Sequence, residues 1–348
     1  MAKKSKKKKK FPSELRLDLV SRDWVLIATG RARRPETFKT KKKSRRATPK
    51  KNCPFCKPYD LEGPLLTFAK GKKIAGKNIP SNWSTIVVPN KFPAVLPSPK
   101  LDKKTAGKVY QKMNAVGFHE VVITKDHQKS LGQFRLEQMK EVIDVYHERY
   151  LGLMNKKFVN YVSIFHNHGA EAGASISHPH SQIITTPLID VDLNRALANS
   201  ERYFKDHRKC IYCEMDKWDK KVKERIVFEN KDFLVLCPFA SKVAFQIIIS
   251  PKKHSAYFEK ITDKEKWRLA EAFKVALGKL YRALNNPPYN FYLHTAPCDG
   301  RKYDHYHWHW TILPKTAIWA GFEVGTRVEI STIEPEKAAA YLRKQKVK

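Results

Sequence analysis

The sequence predicts an α+β fold in which two repeated units pair into one pseudo-symmetric sheet. Both halves of the 348-residue chain contain a Cys-x-x-Cys pair, short β-branched runs, an amphipathic helix and a late run of alternating histidines. The spacing also repeats, because 51 residues separate His127 from His178 and 53 separate His254 from His307. A duplicated unit is the most economical explanation of these two observations.

In the first half, β-branched and aromatic runs predict strands, and one apolar stripe predicts a helix. Apolar residues recur at helical spacing from Leu136 to Leu153, so an amphipathic helix is expected over 135–154. An insertion is expected near 97–118, because the first half is longer between its second cysteine and its middle histidine. The expected strands are a short one within 22–35, then 84–88, 120–124, 158–165 and 183–186.

The second half repeats this order of elements. A capping box formed by Thr262 and Glu265 predicts the start of a second amphipathic helix. Pro335 is typical of a first helical position, so a last helix is expected from there to about residue 345. The expected strands are 233–236, 244–250 and 290–294.

Length and composition indicate a globular protein with one large core or two smaller ones. Apolar residues make up 42% of the chain and aromatic residues 11%, which is ordinary for such proteins. No apolar run approaches the roughly 18 residues of a membrane helix, and no signal-peptide-type segment follows the basic start. We therefore expect a cytoplasmic protein with no membrane partner.

The net charge of +34 is large, with 68 Lys and Arg against 34 acidic residues. This charge is compatible with nucleic-acid binding, with an anionic small substrate or with solvated lysines spread over the surface. Part of the excess lies in the runs 3–10 and 39–46, which are expected to be disordered. Few aromatic residues interleave the basic runs, so a zinc-dependent nucleic-acid-binding protein is the weaker hypothesis and no specific nucleic acid is expected.

The cysteines and histidines predict two structural zinc sites. In a cytosolic chain, Cys-x-x-Cys pairs suggest metal or redox chemistry, and matching downstream histidines favour zinc over redox chemistry or unmetallated core thiols. The first pair is expected to form a tight knuckle and the second pair a knuckle. His305, His307 and His309 share one strand face, and which of the first two binds the second metal stays open. The predicted ligands are Cys53, Cys56, His127 and His178 in one site and Cys210, Cys213, His254 and His307 in the other.

The stretch 173–184 contains the candidate nucleophile. If His178 binds a metal, His180 cannot easily reach the same ion and stays free to attack phosphorus. Imidazole is nucleophilic when neutral, and its unperturbed pKa of roughly 6.5 leaves it mostly neutral at pH 7. The alternative is a pair of ordinary core or surface histidines. Upstream, Arg31 and Arg34 follow a glycine at a strand end, which indicates either a phosphate clamp or a solvated charge cluster.

These motifs together resemble the galactose-1-phosphate uridylyltransferase family, part of the histidine-triad superfamily of nucleotidyl transferases and hydrolases. The resemblance extends from about residue 17 to residue 343. It implies a mainly antiparallel sheet with flanking helices, formed by tandem histidine-triad-like domains at 13–195 and 196–348 after a disordered basic tail at 1–12. The motifs that carry it are Asn167-x-Gly169, Gly173-x-Ser175, His178-Pro-His180-x-Gln182, Cys53-Pro-Phe-Cys56, Val88-Pro-Asn90-Lys-Phe-Pro93, Gly321-Phe-Glu323-x-Gly325-Thr326 and the run from Trp24 to Pro35.

The resemblance also implies a ping-pong reaction with a nucleotide-sugar and a hexose 1-phosphate. His180 would attack the α-phosphorus of UDP-glucose, release glucose 1-phosphate and hold a uridylyl group for galactose 1-phosphate, while Gln182 would bond the non-bridging oxygens. Family members commonly form homodimers, so a homodimer is expected. The residues expected to bind substrate are Arg31, Arg34, Asn90, Asn167, Ser175, Phe322 and Glu323.

One departure from the family pattern leaves the nucleotide open. The member best known from enteric bacteria carries an iron site in place of a second Cys-x-x-Cys pair, and Ala196 stands where its glutamate ligand would fall. The double-zinc layout is similar instead to ADP-glucose phosphorylase, a plant relative that transfers adenylyl to phosphate. An ADP-sugar or dinucleotide phosphorylase of the same superfamily is therefore the alternative function.

Overall fold

The computed structural model describes residues 13–29, 34–40, 48–61, 63–76 and 78–347. The expected basic tail at 1–12 and the candidate phosphate ligand Arg31 lie outside these residues. Within the described chain, the predicted helices and strands occur in the expected order, and three helices and several short strands that the sequence patterns did not indicate are added to them.

The first half contains ten strands and one long helix among the described residues. Helix α1, Leu136–Met154, matches the predicted helix. The strand expected from residue 158 begins at Tyr161, because Phe158 has a φ of 62° and turns the chain instead of extending it. The strands are β1 (Glu14–Leu17), β2 (Trp24–Ile27), β3 (Leu66–Ala69), β4 (Lys72–Ile74), β5 (Thr85–Pro89), β6 (Lys104–Ala106), β7 (Tyr110–Lys112), β8 (His119–Thr124), β9 (Tyr161–His168) and β10 (His180–Thr186).

The second half begins with two unpredicted helices, α2 and α3, and a third, α5, follows later in the chain. The knuckle expected at the second cysteine pair is the start of a helix, because Cys210 caps α3 and Cys213 lies in its first turn. The helices are α2 (Val191–His207), α3 (Ile211–Val222), α4 (Asp263–Leu284), α5 (Gly321–Thr326) and α6 (Pro335–Arg343). The strands are β11 (Ile226–Glu229), β12 (Phe233–Leu236), β13 (Ile247–Pro251), β14 (Tyr289–His294), β15 (His309–Pro314) and β16 (Ile330–Ser331).

Both halves contribute to one eleven-stranded sheet. Its order is β11-β12-β13-β15-β14-β9-β10-β8-β5-β3-β4, and all ten neighbouring pairs are antiparallel. The halves meet at β9 and β14, where Asn167 lies opposite Asn290. The predicted α+β fold with a mainly antiparallel sheet shared by two units is therefore confirmed. The strands β1, β2 and β16 form a separate small sheet, and β6 and β7 form a hairpin in the expected insertion.

One face of the large sheet is covered by α1 and α4, which share a continuous buried core with it. The capping box at the start of α4 is present, because the Glu265 N–H donates to the Thr262 hydroxyl and the Thr262 N–H donates to the Glu265 carboxylate. On β10, Ser181 lies 2.6 Å from the Tyr146 hydroxyl on α1. Side chains alternate along a strand, so the residues on either side of Ser181 project from the opposite face. None of the helices in the described part is long and apolar enough to span a bilayer.

Candidate metal centres and active site

A cluster of two thiols and two imidazoles lies where β8, β10 and the first cysteine pair meet. Its members are Cys53, Cys56, His127 and His178, whose ligand atoms all lie within 4.8 Å of one another. The Cys56 Sγ is 3.1 Å from the His127 Nδ1 and 3.5 Å from the His178 Nδ1, and the Cys53 Sγ is 3.6 Å from the His178 Nδ1. A tetrahedral zinc with bonds of about 2.0 to 2.3 Å separates its ligand atoms by roughly 3.3 to 3.8 Å. The cluster has the size and chemistry of a closed zinc site.

The outer nitrogens of both imidazoles in this cluster are held by the backbone. His127 donates from Nε2 to the Thr48 carbonyl oxygen at 2.9 Å, and His178 donates from Nε2 to the Thr124 carbonyl oxygen at 2.6 Å. A neutral imidazole that donates from Nε2 has its lone pair on Nδ1. Both lone pairs therefore face the thiols, as the outer shell of a metal site requires.

The second half contains an equivalent cluster. The Cys213 Sγ lies 3.5 Å from the His254 Nδ1 and 3.4 Å from the His307 Nδ1, and both Nε2 atoms lie within 2.8 Å of backbone carbonyl oxygens. Of the two histidines left open by the sequence, His307 and not His305 belongs to this group. The cluster consists of Cys210, Cys213, His254 and His307.

His180 is the first residue of β10 and lies on the sheet face away from α1. Its Nδ1 donates to the backbone carbonyl oxygen of His178 at 2.9 Å, which leaves the lone pair on Nε2. Only 8% of the residue is exposed, and burial lowers its pKa, so the imidazole is neutral at pH 7. A neutral, backbone-oriented imidazole with a free lone pair is equipped for nucleophilic attack.

Gln182 projects from the same face as His180 and contacts His119, which in turn contacts Asn90. The Gln182 Oε1 lies 2.8 Å from the Nε2 of His119, and the Asn90 Nδ2 lies 2.9 Å from the same nitrogen. No motif or regular spacing in the sequence singles out His119, and its place in the site was therefore not predicted. It enters the site because the β8–β10 register pairs His119 with Ile184, two residues beyond Gln182.

The end of β9 and the loop that follows it lead to His180. Asn167 accepts a hydrogen bond from the Asn290 side-chain amide at 2.8 Å, across the junction between the two halves. Gly169 and Gly173 have φ values of 87° and 88°, which favour glycine, and they carry the chain back toward His180. Ser175 lies on this loop and is exposed.

The second half repeats the orientation of His180 without its amide neighbour. His309 donates from Nδ1 to the His307 carbonyl oxygen at 3.1 Å. In the matching strand registers, the position equivalent to Gln182 is Thr311, which pairs with Ile248 in the way that Gln182 pairs with Val121. The imidazole with an amide beside it is thus found in the first half, within the described residues.

Family models match both halves of this chain. The model of the N-terminal domain of galactose-1-phosphate uridyl transferase matches residues 3–189, and that of the C-terminal domain matches residues 196–345. The chain belongs to the galactose-1-phosphate uridylyltransferase family. The family resemblance inferred from the motifs is therefore confirmed.

Curated relatives of this family member include two different activities. ADP-glucose phosphorylase from Arabidopsis thaliana is 31% identical over 339 residues, which are 95% of this chain and 92% of the relative. The galactose-1-phosphate uridylyltransferase of Thermotoga maritima is 27% identical over 345 residues, which are 96% and 99% of the two chains. Membership of the family therefore supports nucleotidyl transfer but is compatible with either a uridylyl or an adenylyl group.

Solved structures divide in the same way. The crystal structure of the Arabidopsis thaliana ADP-glucose phosphorylase with bound ADP-glucose is similar with a TM-score of 0.78 and 29% identity, over 96% of this chain and 100% of the other. A uridylyltransferase structure is similar with a TM-score of 0.72 and 26% identity, over 95% and 97% of the chains.

Not all of the residues predicted from the family pattern meet at His180. Arg34 is exposed at the end of a gap in the described chain. Glu323 lies on α5 and accepts a hydrogen bond from the Ala320 N–H at 3.0 Å, and the neighbouring Phe322 is half exposed. Among the described residues, no hydrogen bond joins Glu323 to His180 or Gln182. A substrate-binding role for these three residues stays a prediction.

Proposed function

We propose that this protein is a nucleotidyltransferase that moves a uridylyl group from UDP-glucose to galactose 1-phosphate through a covalent uridylyl-His180. The observation that carries the proposal is the hydrogen bond from the His180 Nδ1 to the His178 carbonyl oxygen, which leaves the Nε2 lone pair free. The membership of the chain in this family supports the same chemistry.

The transfer needs two displacements at one phosphorus atom. The Nε2 lone pair of His180 forms an N–P bond with the α-phosphorus, and the bond to the β-phosphate oxygen breaks, which releases glucose 1-phosphate. A phosphate oxygen of galactose 1-phosphate then attacks the same phosphorus, and the N–P bond breaks. No proton is transferred in either displacement.

Charge on the transferred phosphoryl group must be met by fixed donors. Gln182 is the nearest predicted donor, because it shares the strand and the sheet face of His180. We assign Asn90, Asn167 and Ser175 to the binding of nucleotide and phosphate oxygens. Arg34, with Arg31, is assigned to the phosphates.

We propose that both Cys₂His₂ clusters hold Zn²⁺. Four protein ligands close each site, so the metal would be structural and would offer no open position to substrate. In the first cluster, zinc bound by His178 would fix the start of β10 and thereby the ring of His180. Removal of zinc is therefore expected to affect His180 by displacing its ring.

An adenylyl transfer from ADP-glucose to phosphate is the second candidate. Two observations favour it. The chain is 31% identical to an ADP-glucose phosphorylase over 95% of its length, and a second cysteine pair, Cys210 and Cys213, is part of the C-terminal cluster. The covalent step on His180 is the same in both candidates. They differ in the nucleotide that is held and in the acceptor that removes it.

Intact-mass measurement of the protein after incubation with UDP-glucose, and separately with ADP-glucose, distinguishes the candidates. A uridylyl adduct that disappears on addition of galactose 1-phosphate is the expected result. An adenylyl adduct removed by inorganic phosphate would select the phosphorylase. If neither adduct formed on the zinc-loaded protein, His180 would not be a nucleophile for these donors. The expected homodimer and cytoplasmic location stay predictions, and light scattering tests the first.

A further inference from the structure

We propose that His119 is a positioning residue that fixes the orientation of the Gln182 amide, so that its NH₂ group and not its oxygen is presented to the transferred phosphoryl group. This inference rests on the proposed function. It follows from three hydrogen bonds, of which the first two are donated by backbone N–H groups and the third joins the His119 and Gln182 side chains.

The first hydrogen bond orients Asn90. The backbone N–H of Phe92 donates to the Asn90 Oδ1 at 2.9 Å. A rotated amide would bring two donors together at this position, so the Asn90 oxygen stays with Phe92 and its nitrogen faces His119. Asn90 therefore offers no acceptor to the His119 ring.

The second hydrogen bond fixes the tautomer of His119. The backbone N–H of Ala94 donates to the His119 Nδ1 at 3.1 Å, so Nδ1 carries the lone pair and the proton of the neutral ring is on Nε2. A proton on Nδ1 would face the Ala94 donor. His119 is therefore a donor toward the active site.

The third hydrogen bond orients Gln182. The His119 Nε2 lies 2.8 Å from the Gln182 Oε1 and 2.9 Å from the Asn90 Nδ2, and only the Gln182 oxygen can accept the Nε2 proton. The contact with Asn90 brings two donors together, so it does not compete for this proton. Since Oε1 is held by His119, the NH₂ group of Gln182 remains available to a ligand.

This orientation matters because an amide is electrically two-sided. An NH₂ group stabilises the negative oxygens of the transferred phosphoryl group, whereas a rotated amide would bring its own oxygen against them. A free glutamine amide interconverts between these orientations. His119 removes this ambiguity before substrate binds, which is the preorganisation that electrostatic stabilisation requires.

The second half lacks the same arrangement, although its histidine pair is oriented alike. The strand registers make Gln246 the counterpart of His119 and Thr311 the counterpart of Gln182. The Gln246 side-chain oxygen accepts instead from the Lys242 N–H at 2.7 Å. In the described chain, the Asn90–His119–Gln182 series is thus specific to the half that contains the proposed nucleophile.

The test is a double-mutant cycle on the single-turnover rate of adduct formation at His180. His119→Leu removes the hydrogen-bond donor and is expected to slow this step about tenfold, with the KM for the sugar nucleotide little changed. His119→Gln keeps a hydrogen-bond donor and should retain most of the rate. Gln182→Ala removes the amide and is expected to cost about 10²-fold. In the Gln182→Ala background, His119→Leu is expected to have no further effect.

A merely structural role for His119 gives a different pattern. His119→Leu would then slow adduct formation by the same factor with and without Gln182, and this result, or an unchanged rate in the single variant, would overturn the inference. Zinc content and thermal midpoint of each variant check folding. If His119→Leu proves too unstable for kinetics, His119→Gln against His119→Asn, whose shorter amide cannot reach Gln182, provides the same comparison.

A tautomer measurement separates this inference from the proposed function. Long-range ¹⁵N–¹H spectra of histidine-labelled protein, with His119 assigned by comparison with His119→Gln, are expected to show a neutral ring protonated on Nε2. An Nδ1–H tautomer or an imidazolium at pH 7.5 would refute the positioning role. If the wild-type protein formed no adduct with either donor, the proposed function would fail, and the spectra would still decide how His119 is oriented.

Discussion

The Nδ1 of His180 donates to the backbone carbonyl oxygen of His178, two residues earlier, at 2.9 Å. The side chain of His178 belongs to the cysteine cluster, while that of His180 projects from the sheet face away from α1. One strand start therefore supplies a metal ligand and a candidate nucleophile, and the backbone between them sets the tautomer of the second. The two roles can be separated by substitution.

His180→Ala should abolish the nucleotidyl adduct and leave the fold intact. The substitution removes the only side chain to which we assign covalent attack, but it replaces none of the predicted zinc ligands. Intact mass with each sugar nucleotide measures the adduct, and zinc content and thermal midpoint serve as controls. Loss of zinc in this variant would contradict the separate roles of His178 and His180.

His178→Ala should instead lower the zinc content from about two ions per chain to about one, with a fall in stability. A matched variant, Cys213→Ser, should also lose about one zinc, but from the cluster in the other half, and should retain more of the adduct at His180. Zinc is measured by elemental analysis on gel-filtered protein. If both variants lost the same amount of adduct, zinc bound by His178 would not be what holds the His180 ring in place at the start of β10.

Several of the strands and the metal ligands were predictable because their signals are local or regularly spaced. β12 has the bounds expected from its apolar run, and the two Cys-x-x-Cys pairs identify their own clusters. Helices α2, α3 and α5 were not predicted. In α2 the buried residues are Leu193, Leu197 and Ser200, and most of the remaining helix is polar. Such a helix is stabilised by its packing against the rest of the protein, and the helix propensity of its own sequence does not reveal that packing.

The amide–imidazole series in the active site could not be predicted for a different reason. Asn90 and Gln182 were chosen from the family pattern, but His119 lies 29 residues from Asn90 and 63 from Gln182. Their contact is created by the β8–β10 register and by the turn that brings Ala94 to the imidazole. Neither of these features leaves a spacing that can be recognised in one sequence.

Arg149→Met should destabilise the first half strongly. Arg149 on α1 makes two hydrogen bonds, of 2.7 and 2.5 Å, to the carboxylate of Glu120 on β8, and only 4% of the Glu120 side chain is exposed. Removing the cation leaves a buried carboxylate without its partner, which costs about 3 to 5 kcal/mol in the free energy of unfolding. Denaturant unfolding of the zinc-loaded protein measures this cost.

The matched control is Lys73→Met, which breaks the exposed ion pair between Lys73 and Glu148. Solvent screens this pair, so the expected cost is about 0 to 1 kcal/mol. If the two variants cost the same, burial would not be what makes the Arg149–Glu120 pair important.

Acidification should destabilise the protein through His166, which is 1% exposed, stacks on Phe291 at 5.0 Å between ring centroids and lies 3.0 Å from the Ser181 hydroxyl. Burial lowers its pKa well below the ordinary value, so the folded protein keeps this imidazole neutral. Below roughly pH 6.5 the unfolded chain takes up a proton that the folded chain does not, and stability falls by up to about 1.4 kcal/mol per pH unit.

His166→Gln removes this dependence of stability on protonation. Urea unfolding at pH 7.5 and 5.5 should therefore show a smaller loss of stability on acidification in the variant than in the wild type, whatever the variant costs at pH 7.5. Equal losses would mean that His166 takes up its proton in the folded state as readily as in the unfolded chain.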